Sequence, residues 1–389
     1  MVKDKQYLYI PGPAPVPPAV VTAMTKPVIG HRSSDFSHLY RGVVAKLQAV
    51  YQTENDLFVL SNSGTGAMEM ALANTVNPGD KVLSLITGFF AERFARIAAA
   101  CGAEVERLEF PWDGPIDLAR VEEKLREEDY RAVLVTHNET STGVVNDIAG
   151  LGKLVAKTDA LLMVDAVSSL GGVDIKTDEY QLDMVVTSSQ KALMLPPGLA
   201  AISVSPKAWG RVEKCKEPRV YFSLADYRKT MVKGHTPWTP AVTLLYGLDA
   251  ALDMILAEGL PRVFARHERL GRAVRAGMRG VGLELVAPDE CASPTVTAVW
   301  APPGVDPDQL RKIMREELGV VMAGGKGSLA GRIFRFGHMG YVGEFDVITG
   351  LAAVEMGLVK LGYPVQLGAG VAAAQRVLLA DKEQGRMQQ

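Results

Sequence analysis

The chain has 389 residues, with 42 Lys and Arg against 44 Asp and Glu, a formal charge of −2. That balance gives no global electrostatic reason to bind nucleic acid or an anionic membrane surface. With 48% hydrophobic and 22% charged residues the composition is globular rather than disordered, and no run of about 18 apolar residues predicts a membrane span.

A chain of this length suggests two to three domains and buries enough surface to need no disulfide or metal staple. Its three cysteines, Cys101, Cys215 and Cys291, show no CxxC spacing, so reduced thiols are expected. Residues 1–21 contain no signal-like apolar stretch before the prolines. A soluble, cytoplasmic protein is expected.

Residues 1–20 read as an N-terminal arm. From residue 56 the chain alternates short apolar runs with amphipathic ones. The runs 56–61, 81–86, 132–137, 160–167, 184–188 and 199–205 are continuous rather than alternating, as in strands buried on both faces. Helix-like stretches at 88–101, 118–128 and 148–158 lie between them. This alternation predicts an α/β fold with a mostly parallel sheet covered by helices. After residue 240 the pattern becomes two long helices (241–257, 262–281), then strand 295–301, helix 306–318, strand 333–336 and helix 344–361. We read a large domain over 21–255, a smaller α+β domain over 256–370, and a loosely held tail over 371–389.

Two residues at the ends of successive predicted strands carry chemistry. Asp165 closes LLMVD, where open α/β sheets hold their ligands, and a carboxylate is costly to bury there without a cation or donor. Lys191 follows the next strand, in SSQKAL. Alone, each has an ordinary reading: a loop-capping Asp and a solvated Lys. Together they suit pyridoxal phosphate, which forms a Schiff base with a lysine and pairs its pyridine nitrogen with a carboxylate. The lysine amine then serves as general base and acid. A phosphate site is needed as well. SNSGTGAME (61–69) lies between a strand and a helix, and offers helix N-terminal N–H groups with the Ser63 and Thr65 hydroxyls. It is neither a P-loop nor a GxGxxG turn. Arg335, in FRFGHMG among apolar neighbours, is a candidate for the substrate's α-carboxylate, which a guanidinium binds with two parallel hydrogen bonds.

The ordered motifs YIPGP (9–13), GHRSSDF (30–36), SGTGAME (63–69), THNETSTGV (136–144), VDAVSSLGG (164–172), SSQKAL (188–193), TPWTPAV (236–242) and FRFGHMG (334–340) span nearly the whole chain. In them the chain resembles the class V aminotransferases, enzymes of the fold-type I pyridoxal phosphate group. It is most similar to their alanine–glyoxylate and serine–pyruvate branch, which includes proteins labelled the small subunit of soluble hydrogenase. The resemblance implies a seven-stranded, mostly parallel sheet between helices and a homodimer with shared sites. It implies that Lys191 holds the cofactor and Asp165 pairs with its ring nitrogen. Ser63, Gly64 and Thr65 would cradle the phosphate, with Gln190 beside them. Phe90 would stack on the ring, Val167 pack on its other face, and Thr140 approach the ring hydroxyl. Thr239 and Thr236 would reach the phosphate of the neighbouring subunit, and the loop of Gly30 would border the substrate.

Phe90 stands where several relatives carry Trp. Only His31, Arg32, His235 and His338 are motif-linked candidates for a second substrate carboxylate, so a small donor, alanine or serine, is expected, with glyoxylate or pyruvate as acceptor. Two alternatives stand beside this. One is a cysteine desulfurase or lyase of the same fold, with Cys291 as sulfur acceptor; those enzymes usually place His where this chain has Gln190. The other is a non-catalytic hydrogenase-associated subunit, which would need no Schiff-base lysine.

Overall fold

The computed structural model describes residues 6–386, with side chains as far as residue 380. The described strands are β1 (Tyr7–Tyr9), β2 (Asp56–Leu60), β3 (Lys81–Ile86), β4 (Glu104–Glu109), β5 (Ala132–Thr136), β6 (Asn138–Glu139), β7 (Val144–Val145), β8 (Leu161–Asp165), β9 (Met184–Ser188), β10 (Ala200–Val204), β11 (Val296–Trp300), β12 (Val320–Gly324) and β13 (Ile333–Gly337).

Seven strands form one sheet in the order β2-β10-β9-β8-β5-β3-β4. β4, β3, β5, β8 and β9 are parallel, and β10 runs antiparallel to both β9 and β2. This is the expected mostly parallel sheet between helices. The continuous apolar runs divide between two core layers. Val133 and Val135 of β5 face one layer, Ala132 and Leu134 the other, and β8 splits Leu162 and Val164 from Leu161 and Met163 in the same way. Six of the seven strands carry that apolar signature in sequence. The seventh, β4 (EVERLE), is an edge strand paired only with β3, with both terminal glutamates exposed, so it has no two-sided run to mark it.

β2 is antiparallel to β10 and therefore shares its direction with the parallel strands. The carboxyl ends of β2, β3, β5, β8 and β9 all lie along one edge, where a ligand site forms in such sheets.

A second sheet has the order β1-β12-β13-β11, with β1 parallel to β12 and the other pairs antiparallel. The segment expected as an N-terminal arm contributes β1 to this sheet and then crosses the Lys191 loop, where the Ala14 N–H donates to Gln190 O at 2.9 Å. Residues 1–5 of that arm lie outside the described residues.

The loosely held tail is a correction. Ala369–Arg386 is a helix, packed on the helix Leu260–Gly280 with Ala374 and Leu378 buried. Small residues allow the close approach: a Cβ on Gly280 would lie 2.9 Å from Ala373 Cβ. The buried Glu355 carboxylate accepts from the N–H groups of Gly368, Gly370 and Val371 and so fixes the helix start. The Gly/Ala-rich composition serves close packing of this helix rather than looseness. Residues 387–389 lie outside the described residues. Among the described residues no helix is long and apolar enough to cross a membrane.

Candidate active site

Asp165 ends β8 and pairs in register with Val186 of β9. It is 4% exposed, and its Oδ1 accepts from the Val167 N–H at 2.9 Å. Burial pushes its pKa up to about 6; the Val167 bond and the charges of Lys191 and Arg93 oppose the rise, and Glu139 adds to it.

Lys191 follows β9 by three residues. Its amine is enclosed by the N-terminal segment, with Nζ donating to Pro11 O. Gly12 lies flat against the side chain; a Cβ there would fall 2.7 Å from Nζ, and its φ of +111° also suits only glycine. Burial lowers the lysine pKa to about 8. Arg335 adds to the fall, Asp165 opposes it, and Arg93 adds a smaller share. Near neutrality a useful fraction of the amine is therefore uncharged. YIPGP was legible as a marker but not as the roof over Lys191.

The phosphate candidates lie at the start of the helix Gly64–Ala73, where Ser63 is the N-cap and its Oγ accepts from the Gly66 N–H at 3.4 Å. Gly64 is flush with the site wall: a Cβ would meet Val167 Cγ2 at 2.6 Å and Ser188 Cβ at 3.3 Å. Ser188 Oγ is buried without a hydrogen-bond partner among the described residues. Val167 is half-buried beside Asp165, and Gln190 is half-buried next to Lys191. Thr65 Oγ1 accepts from Arg93 Nη1 at 3.4 Å. Arg93 lies three residues after Phe90 on the helix Phe89–Ala100, with its guanidinium 4.8 Å from the Phe90 ring centroid. This cation was not singled out in the sequence, although i, i+3 spacing from Phe90 puts it on the same helix face.

Arg335, on β13, is 4% exposed. Its Nε donates to Gly324 O at 2.9 Å and its Nη1 to Thr140 O at 2.8 Å. Burial lowers its pKa to about 10, against the opposing charge of Glu139. Two carbonyls thus hold it, and no carboxylate bonds it among the described residues. Thr140 Oγ1 donates to Ser168 Oγ at 2.7 Å, which ties it to the loop after Asp165.

The rim is separate. Gly30 is exposed, with nothing within 4 Å of a Cβ position. Its loop is fastened to TPWTP, because Arg32 donates to Thr236 O at 2.5 Å and to Pro237 O at 3.1 Å. Thr236 is buried and its Oγ1 donates to Trp238 O at 2.6 Å; Thr239 is exposed. No hydrogen bond among the described residues joins these three to Lys191, Asp165 or Arg335. His338 is buried, bonded to Thr297 Oγ1 and Pro294 O, and pushed down to about 3 by burial, so it is a neutral core residue. The Cys291 thiol is pushed up to about 11 by burial, which makes it a poor sulfur nucleophile.

The inner residues fit pyridoxal phosphate. They offer an amine, a buried carboxylate with one oxygen unbonded among the described residues, a glycine-faced helix start with hydroxyls, and the Phe90 ring against Arg93, which bonds Thr65.

A family model, aminotransferase class-V, matches residues 6–339. The small subunit of soluble hydrogenase from a Synechococcus species is 45% identical over 97% of this chain and 99% of that protein. Serine–glyoxylate aminotransferase from Arabidopsis thaliana is 37% identical over 96% of this chain and 95% of that one. The solved structure of pyridoxamine-pyruvate aminotransferase from Mesorhizobium loti superposes with a TM-score of 0.93 at 34% identity, covering 96% of this chain and 97% of that one.

Proposed function

The chain belongs to the class-V aminotransferase family, and from that premise we propose that it transfers the amino group of alanine or serine to glyoxylate or pyruvate, as a cytoplasmic homodimer with shared sites. The family depends on pyridoxal phosphate. When bound, that cofactor supplies the electron sink that lets an amino acid lose its α-proton. Asp165, whose other carboxylate oxygen is free of a hydrogen bond among the described residues, would pair with the ring nitrogen. Lys191, with its pKa near 8, is available uncharged to attach the cofactor and then to take the α-proton and return it. Ser63, Gly64, Thr65 and Gln190 would hold the phosphate end, Phe90 and Val167 would flank the ring, and Thr140 would stand at the hydroxyl side.

The observation that carries this reading is that Arg335, 4% exposed, is held beside the Thr140 turn by two backbone carbonyls with no carboxylate bonded to it among the described residues. A carboxylate gripped there brings the adjacent α-carbon to the lysine. The Nη2 end of Arg335 donates to no group among the described residues and is available for that grip. Arg93 is drawn to the phosphate end by Thr65, and Arg311, the other cation whose charge reaches Arg335, is paired with Asp308, which favours a donor without a side-chain charge. The relatives' names supply glyoxylate and pyruvate as acceptors.

Activity across a matrix of amino donors and oxo acceptors tests this. Alanine or serine with glyoxylate or pyruvate should give the highest kcat/KM. Turnover confined to dicarboxylic donors, or sulfide release from cysteine, would overturn it. The name of the Synechococcus relative supports a second reading, a non-catalytic hydrogenase partner. The retained Lys191 and Asp165 favour catalysis over it.

A further inference from the structure

We infer that Glu139 is a positioning residue, which caps the helix Phe89–Ala100 from a distant turn and thereby sets the Phe90 ring in the cofactor site. The first N–H groups of any helix have no partner within it. Here the cap residue is Gly88, which has no side chain to offer. Its place is filled from the end of β6 and the turn after it, with Glu139 lying 49 residues beyond Phe90. The Phe90 N–H donates to both Glu139 oxygens, at 3.1 and 3.3 Å. The Ala91 N–H donates to Oε2 at 3.1 Å, and the Phe89 N–H donates to Ser141 Oγ at 3.1 Å. Ser141 in turn gives Glu139 Oε1 its N–H at 3.0 Å and its O–H at 2.5 Å. All three amides of residues 89–91 are accounted for by these two side chains.

Glycine at 88 follows from the same arrangement, since a Cβ there would overlap Glu139 Cγ and Cδ. Glu139 is fully buried, a costly place for a carboxylate, and its four donor groups with the positive end of the helix offset that cost. Its neighbour Thr140 fixes two other walls of the site: its carbonyl receives Arg335 Nη1, and its hydroxyl holds Ser168. One tripeptide, Glu139–Thr140–Ser141, therefore sets Phe90, Arg335 and the loop after Asp165 relative to one another.

The inference rests on the proposed cofactor site, and two measurements separate their fates. The first is amide hydrogen exchange in the cofactor-free protein. Glu139→Gln turns one acceptor into a donor facing N–H groups, and should speed exchange at residues 89–91 by about 5–10-fold, the size of a lost helix cap, while β8 stays protected. Ser141→Ala, a smaller change that keeps the buried carboxylate, should act in the same direction and carries the test if Glu139→Gln does not fold. The second is pyridoxal phosphate affinity. Glu139→Gln and Phe90→Leu should each weaken it about 5–10-fold, and the double variant should be no weaker than the worse single one, because both act through one ring. Unchanged exchange at 89–91 in both Glu139→Gln and Ser141→Ala, or additive losses in the double variant, overturns the inference. Failure of the wild type to bind pyridoxal phosphate overturns the proposed function instead, while the exchange result still decides the cap.

Discussion

At the inner wall of the site, Asp165, Glu139 and Arg335 are almost fully buried, and each is held by groups of its own chain. At the rim, Gly30 and Thr239 are exposed, and Thr236 spends its hydroxyl on Trp238. The inner wall carries unfavourable burial that shows as displaced pKa values, with Asp165 raised and Lys191 and Arg335 lowered. The rim carries none of that cost. Perturbed, buried groups gather at functional sites. In the proposed homodimer the rim residues would take their role from the second chain. Variants of the two regions should therefore differ in kind as well as in size.

The largest effect is expected at Lys191. Lys191→Met should lower turnover by on the order of 10²–10⁴-fold or more, since the general base is gone. The same variant should stabilise the cofactor-free fold. A lysine whose folded pKa is depressed, here from 10.5 to about 8, withdraws stability as pH falls through 8. Thermal melts should show the variant ahead of wild type by on the order of 3 kcal/mol below pH 8, with the gap closing between pH 8 and 10.5. An equal gap at all pH values would mean the amine is not held at that cost.

Asp165→Asn comes next, with turnover reduced by on the order of 10²–10³-fold as a preorganised charge is removed. Its stability sign is opposite in pH. A carboxyl raised from 3.8 to about 6 contributes stability at low pH that is lost as pH rises through 6. The cofactor-free variant should exceed wild type above pH 6 and match it below pH 4. Arg335→Lys should raise KM for α-amino acids by roughly tenfold, through loss of the planar fork, with pyridoxal phosphate affinity nearly unchanged. Steady-state kinetics beside a cofactor titration separates the two.

The smallest effect belongs to the rim. Thr239→Ala should weaken cofactor affinity by about 3–10-fold, one hydrogen bond's worth. Mixing it with Lys191→Met should recover activity in hybrid dimers. A fully active monomer by light scattering would remove the rim from the site.

Much of this was legible in sequence for a physical reason. Strands buried on both faces leave continuous apolar runs, and β8 and β9 therefore announce Asp165 and place Lys191 just beyond the next strand end. The edge strand β4 leaves no such run. Pro11 and Gly12 over Lys191, Arg93 beside Thr65, and Glu139 under Phe90 depend on contacts spanning 28 to 180 residues, which no local pattern encodes. Glu139 did have a trace: a glycine at the cap of a helix leaves amides that some other side chain must satisfy. The tail helix was missed because alanine and glycine signal looseness locally and close packing only beside a partner helix.

Borohydride reduction of the pyridoxal phosphate-loaded protein, followed by peptide mapping, tests the central assignment most directly. The account predicts one reduced adduct, on Lys191 in SSQKAL, and none in Lys191→Met protein treated in the same way. An adduct on any other lysine, or a wild-type protein that takes up no cofactor, would contradict it.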